Sequence, residues 1–280
     1  MKKKIKKRLF VKAISLFAMA FMMGIIPACT ASSTSPLTET EETGPKFIAH
    51  KGYSSKYYEN TEESFRAAAK LGFYGIETDI RKTSDNKFVC WHDADVYFAD
   101  KPDEAVKISA TKRSKLLSRP LKNSKTDQDA YLCTFETYLQ ACKEGNKVAV
   151  IELKDYFFFE DDIQKMLDII DAEYDRKMVC FIGFRYENIL LVRNADPSIP
   201  LQYLSQEKTY DPKFEDCLKD GISIDIRFDV DPPLLTEELV KTFHDAGLTV
   251  NVWTVNRGTD LQAVCQYDVD YITTDVFYEE

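Results

Sequence analysis

YGIETDI (residues 74–80) and KVAVIELK (147–154) are apolar runs whose last turns of chain carry charge at alternate positions. Side chains alternate across an extended strand, so Glu77 and Asp79 project to one side, roughly 6–7 Å apart along it. Ile76, Thr78 and Ile80 then project to the other. In the second run Val148, Val150, Glu152 and Lys154 share a face, two apolar residues followed by two charged ones. Near-continuous apolar runs suit strands buried on both faces of a parallel sheet.

Six more runs have this character: KFIAH (46–50), KFVCWH (87–92), MVCFIGF (178–184), PLQYL (200–204), ISIDI (222–226) and LTVNVWTV (248–255). Helical patterns fall between most of them, over 61–71, 134–144, 161–173, 187–194 and 236–246, the last stopped at Gly247. Eight strands alternating with helices predict an α/β protein, a TIM (β/α)8 barrel spanning residues 46–280. One step departs from the alternation. About six residues around Ser84-Asp85-Asn86 join the second and third runs, too few for a crossover helix. Residues 93–130, polar and lysine-rich, read as a surface excursion near the strand ends.

The N-terminus belongs to a different kind of segment. Residues 1–28 hold seven basic side chains and no acid, and the uncharged stretch from Ala13 to Ala28 is shorter than the roughly 20 residues of a spanning helix. It reads as a secretory signal peptide. Ile26-Pro27-Ala28-Cys29 resembles a bacterial lipobox, which makes Cys29 the expected lipidated first residue of the mature chain. Residues 29–45 are polar, lack aromatics and form the expected flexible linker. The expected location is extracytoplasmic, on a bacterial membrane through this lipid anchor.

Without the signal the chain has 30 basic against 46 acidic residues, formally −16. Such a surface repels polyphosphate backbones and excludes general nucleic-acid binding, while it favours a bound cation. The six remaining cysteines, Cys90, Cys133, Cys142, Cys180, Cys217 and Cys265, form no CxxC pair or zinc-like cluster and read as core residues.

Chemistry in a β/α barrel gathers at the C-terminal strand ends. The first run ends in His50, followed by Lys51; the second carries Glu77 and Asp79; the third ends in His92-Asp93; the fourth carries Glu152 and Lys154. Of three histidines, two end predicted strands, and His244 closes a helix. Three carboxylates converging in a barrel mouth lose hydration that one lysine cannot replace. A hard divalent cation with oxygen ligands, Ca2+ or Mg2+, resolves this. Two imidazoles beside it can act as general acid and base, a combination suited to phosphoryl transfer.

FIAHKG, ENTEESFRAAAKLGFYGIETDI, FVCWHDADV, VIELK, VNVWTVN and the closing YITTD resemble, in order, the motifs of the glycerophosphodiester phosphodiesterase family. The resemblance runs from about Phe47 to Asp275. It implies a TIM barrel of the phospholipase C-like phosphodiesterase type and metal-dependent hydrolysis of small glycerophosphodiesters to glycerol 3-phosphate and an alcohol. By position it implies His50 and His92 as the acid–base pair, Glu77, Asp79 and Glu152 as ligands of one divalent cation, and Lys154 as a phosphate contact. Glu59 matches an acidic residue near the site, and Trp253 an aromatic lining the glycerol or head-group side. The family's usual Arg after the first His is Lys51 here, which keeps the charge and loses the bidentate fork. Tyr58 replaces a proline, and VYFADKP follows His92-Asp93-Ala94-Asp95 in place of an Arg-Thr-Thr continuation. The rival readings are a phospholipase-like enzyme forming a cyclic phosphate and a lipoprotein that binds an anionic ligand without turnover.

Overall fold

The computed structural model describes residues 44–122, 126, 128–229 and 234–278. The signal peptide, Cys29 and the linker up to residue 43 lie outside them. In chain order the elements are β1 (Lys46–Ala49), α1 (Glu62–Ala69), β2 (Gly75–Lys82), β3 (Phe88–Cys90), β4 (Asp95–Phe98), β5 (Lys101–Lys107), α2 (Arg113–Leu117), β6 (Cys133–Thr134), α3 (Phe135–Gly145), β7 (Val148–Leu153), α4 (Glu160–Glu173), β8 (Val179–Gly183), α5 (Tyr186–Ala195), β9 (Leu201–Ser205), α6 (Lys213–Asp220), β10 (Ser223–Arg227), α7 (Glu237–Asp245), β11 (Val250–Trp253), α8 (Gly258–Val264) and β12 (Tyr271–Thr274).

Parallel pairing runs β1–β12–β11–β10–β9–β8–β7–β2, and β2 returns to β1 through Ile48↔Gly75 and Ala49↔Ile76. The eight-stranded parallel barrel is therefore closed, as the alternation of strands and helices predicts. The side-chain faces also fall as expected. Ile76, Ile80, Ala149, Ile151 and Leu153 pack outward against the helices, while Ile48, Val150, Cys180, Ile182 and Leu204 fill the interior. Each fully buried aliphatic or aromatic side chain contributes about 1.5–3 kcal/mol through removal from water.

The count of eight needs one exchange. KFVCWH is not a barrel strand: β3 lies antiparallel on β2 (Ile80↔Cys90) and carries β6 on its other edge. The eighth place belongs to β12, from the YITTD segment. β3 is apolar on both faces because it separates two clusters. Phe88 and Cys90 join the helix-side core with Ile80 and Phe135, whereas Val89 and Trp91 meet Val96, Phe98, Ile108, Leu116 and Leu121. Phe88 and Cys90 thus lie outside the barrel interior, although the alternation of KFVCWH puts them on one face with His92. The antiparallel direction carries the chain back from the end of β2 to the level of its carboxylates, where Trp91 N donates to Asp79 O at 2.9 Å.

The excursion after β3 has its own small core beneath a charged exterior, with β4 and β5 paired as a hairpin. Tyr58 stacks on Trp91 at 5.9 Å and so ties this layer to the loop after β1. Expected helices appear as α1, α3, α4, α5 and α7; α2, α6 and α8 fall outside the expected patterns, although α6 is as long as α1. Five of the six cysteines are buried, but Cys265 is exposed and not a core residue. Among the described residues no helix is long and apolar enough to cross a membrane.

Candidate active site

Glu77 and Asp79 on β2 and Glu152 on β7 are brought together by the register Glu77↔Val150 and Asp79↔Glu152. One oxygen from each carboxylate lies within 4.8 Å of the others, and all three residues are buried. Lys154 Nζ stands 2.9 Å from Glu152 Oε1 and 3.3 Å from Asp79 Oδ1, yet that Asp79 oxygen accepts no hydrogen bond. Burial, followed by the charge of Asp79, pushes Glu152 up to about 7. Burial with the charges of Asp79 and Glu152 likewise drives Glu77 well above the carboxylate range. Burial opposes ionisation of Asp79 as well, but Lys154, Lys51, His92 and Asn60 outweigh it and hold it at about 2. Lys51 and Lys154 are raised, because the surrounding carboxylates overcome the effect of burial. The raised Glu77 and Glu152 show that two lysines do not compensate three carboxylates held this close. An orphaned oxygen in an all-carboxylate donor set fits a hard divalent cation.

The loop after β1 is folded to support this acid wall. Lys51 has φ 57°, and its backbone N–H donates to Glu77 Oε2 at 2.7 Å. Gly52 follows at φ 77°, where a β-carbon would stand 2.7 Å from the Ser64 carbonyl carbon. Only glycine fits there. Asn60 is fully buried; its Nδ2 donates to Asp79 Oδ2 at 2.7 Å while its Oδ1 accepts from Thr78 Oγ1. Glu59 sits beside Lys51 (3.5 Å) and does not line the cavity. Of the Glu-Asn-Thr loop, Asn60 is the residue that touches the acid wall.

The two histidines reach the mouth by different routes. His50, at the end of β1, lies 2.7 Å through Nδ1 from Asp275 Oδ1. Asp275 also accepts from Ser54 Oγ and Asn256 Nδ2, and these contacts with His50 outweigh burial and hold it well below the usual carboxylate range. A carboxylate only accepts, so His50 Nδ1 carries the proton and Nε2 is left for the cavity. His92 follows β3 with Nδ1 2.8 Å from the neighbouring Asp93, and burial lowers its pKa against the pull of Asp79. Its backbone carbonyl accepts from Arg81 Nε and Nη2, and Arg81 also pairs with Asp155 at 2.9 Å. His244 pairs with Asp270 away from the site, as its position at a helix end predicts.

A cavity of about 500 Å³ is lined by His50, Lys51, Glu77, His92, Glu152 and Lys154 on one side. Trp253 lines the other, edge-on to Phe184 at 5.7 Å, with its Nε1 donating to Asp225 O. Sequence reasoning passed over Asp225, a single acid among isoleucines, and Asp275, whose partner is 225 residues away.

The family model of glycerophosphoryl diester phosphodiesterases matches residues 50–278. The chain belongs to that family. It is a phosphoric diester hydrolase. A glycerophosphodiester phosphodiesterase of Caldanaerobacter subterraneus subsp. tengcongensis is 26% identical over 230 residues, covering 81% of this chain and 93% of that protein. The crystal structure of a glycerophosphodiester phosphodiesterase from Parabacteroides distasonis matches with a TM-score of 0.68 at 26% identity, over 82% of this chain and 92% of that one. An Oleispira antarctica phosphodiesterase, solved in complex with the product sn-glycerol-3-phosphate, shares the fold at 20% identity and a TM-score of 0.71, over 82% of this chain and 93% of that one.

Proposed function

We propose that this hydrolase cleaves small glycerophosphodiesters to glycerol 3-phosphate and an alcohol, with one divalent cation, Ca2+ or Mg2+, and with His50 and His92 as its two proton carriers. The observation that carries the reading is the buried Glu77–Asp79–Glu152 set, whose two glutamates line one cavity together with both histidines. The product-bound Oleispira relative supports glycerol 3-phosphate as the phosphate-bearing product. When bound by the three carboxylates, the cation supplies Lewis-acid polarisation of a phosphate oxygen.

The chain's own residues do the rest. Lys51 and Lys154 neutralise negative charge that grows on the phosphoryl oxygens as the transition state forms. One imidazole removes the proton from the attacking O–H, the P–O bond to the leaving alcohol breaks, and the other imidazole returns a proton to the alkoxide. Asp275 fixes the tautomer of His50 throughout. Asn60 and the Lys51 N–H orient Asp79 and Glu77. The lipid anchor at Cys29 would hold this extracytoplasmic domain at a membrane; palmitate labelling of the full chain, lost in Cys29→Ser, is its expected signature.

The direct test is release of glycerol 3-phosphate from glycerophosphocholine and glycerophosphoethanolamine with Ca2+, Mg2+ or chelator. Release that needs the cation and falls at least about 10²-fold in Glu77→Ala, His50→Ala and His92→Ala is expected. A folded, cation-loaded protein that releases none contradicts the reading.

A further inference from the structure

The cavity has a second polar pole that the reaction above leaves idle. Ile224 and Ile226 of β10 face the helices, so Asp225 between them points into the barrel. It is 1% exposed, lines the cavity, and its Oδ1 has no hydrogen-bond partner. Among the described residues the one other buried carboxylate oxygen left so is Asp79 Oδ1, which belongs to the cation site and faces Lys154. Asp225 lies opposite Asn251 in the β10–β11 register, and the Asn251 side chain favours its ionised form, yet Oδ1 is left without a donor. Arg227, the next residue on the same face, is taken by Asp229 through Nε and Nη2. A buried acceptor without a donor destabilises the free protein, and such groups persist where a ligand completes them.

We propose that Asp225 is a specificity-determining residue whose Oδ1 accepts a hydrogen bond from a hydroxyl of the substrate's glycerol moiety. This rests on the glycerophosphodiester reading and names the atom that distinguishes glycerol from a plain alkyl group. The surroundings suit a small polyol. Leu204, Trp253 and Phe184 give the same cavity apolar walls for a carbon skeleton, and Asp225 supplies one buried polar atom among them. So little of Asp225 is exposed that the donor must be a slender O–H or N–H. A trimethylammonium head group has no N–H to donate. The oxygen accepts in either protonation state, so the recognition does not depend on titration. A site built to bond a hydroxyl discriminates strongly against an analogue that lacks it, because the buried group is then left unpaired.

The test separates this inference from the reaction. With Mg2+ or Ca2+ present, calorimetry compares glycerol 3-phosphate with propyl phosphate, and kinetics compares glycerophosphocholine with propylphosphocholine. Wild type should favour the glycerol member of each pair by about 30-fold or more. Asp225→Ala should cut that preference at least about tenfold by weakening the glycerol ligands alone, and Asp225→Asn, which keeps an acceptor oxygen, should restore most of it. An unchanged preference in Asp225→Ala overturns the proposal, as does equal weakening of both members of a pair, which marks a structural role. A loss confined to glycerophosphoethanolamine, with glycerol 3-phosphate binding intact, overturns it in favour of ammonium recognition. Preferential glycerol 3-phosphate binding that depends on Asp225, without turnover of any diester, upholds it while the proposed reaction falls.

Discussion

The two histidine-bearing segments meet at one cavity but are held in unlike ways. His50 ends a barrel strand, and its ring is gripped through Asp275 by Ser54 and Asn256, groups drawn from both ends of the domain. His92 leaves an antiparallel strand outside the barrel, its side chain is 41% exposed, and its ring partner is Asp93, 71% exposed and adjacent in sequence. What fixes His92 is its backbone, through Arg81. One imidazole is oriented by its ring and the other by its main chain. The barrel positions the first directly, and the second only through Arg81 of β2, held by Asp155 just after β7.

That contrast can be broken at the ring partners. Asp275→Asn should lower turnover by about 10²-fold or more, since an amide can present its N–H to Nδ1 and reverse the tautomer, whereas Asp93→Asn should stay within about threefold. Equal losses in the two variants would show that exposure does not weaken the second pair. A smaller effect is expected at the backbone. Arg81→Met should reduce kcat by about tenfold while KM changes little, because the misplaced His92 still leaves Lys51, Lys154 and the acid wall in place. The smallest effect concerns the acid wall itself. Glu152 at about 7 and Glu77, held well above the carboxylate range, must both release protons to become ligands, so cation affinity should rise with pH up to pH 7 and continue to rise above it. Calorimetry in buffers of different ionisation enthalpy measures the protons released. In the same titration the imidazole resonances of His92, which faces Asp79, should move on loading more than those of His50.

The acid wall was legible in the sequence because a strand's two-residue period puts Glu77 and Asp79 on one face whatever surrounds them. The barrel count was legible in number and mistaken in one member. β3 looks like an interior strand because the excursion covers the face that would otherwise meet water, and no local pattern reveals which core buries it. β12 hid for the opposite reason: Thr273, bonded to Asn251, and Thr274, bonded to Asn256, give it a polar composition. Asn60, Asp225 and Asp275 escaped because their roles are pairings across the fold. Asn60 lies beside the more conspicuous charge of Glu59, and Asp275 acquires meaning only when β12 lies against β1.

That last pairing sets an order of events. His50 N donates to Thr274 O and Ser55 N to Asp275 O, so the first and final strands are zipped by the same contacts that build the dyad. Joining residues so far apart in the chain is a late, high-entropy step in folding. A growing or partly opened chain can hold its acid wall in β2 and β7 and still lack an oriented His50. Cation binding should then survive a gentle loosening of β12 that silences turnover, and the enzyme would lose its rate before it loses its shape.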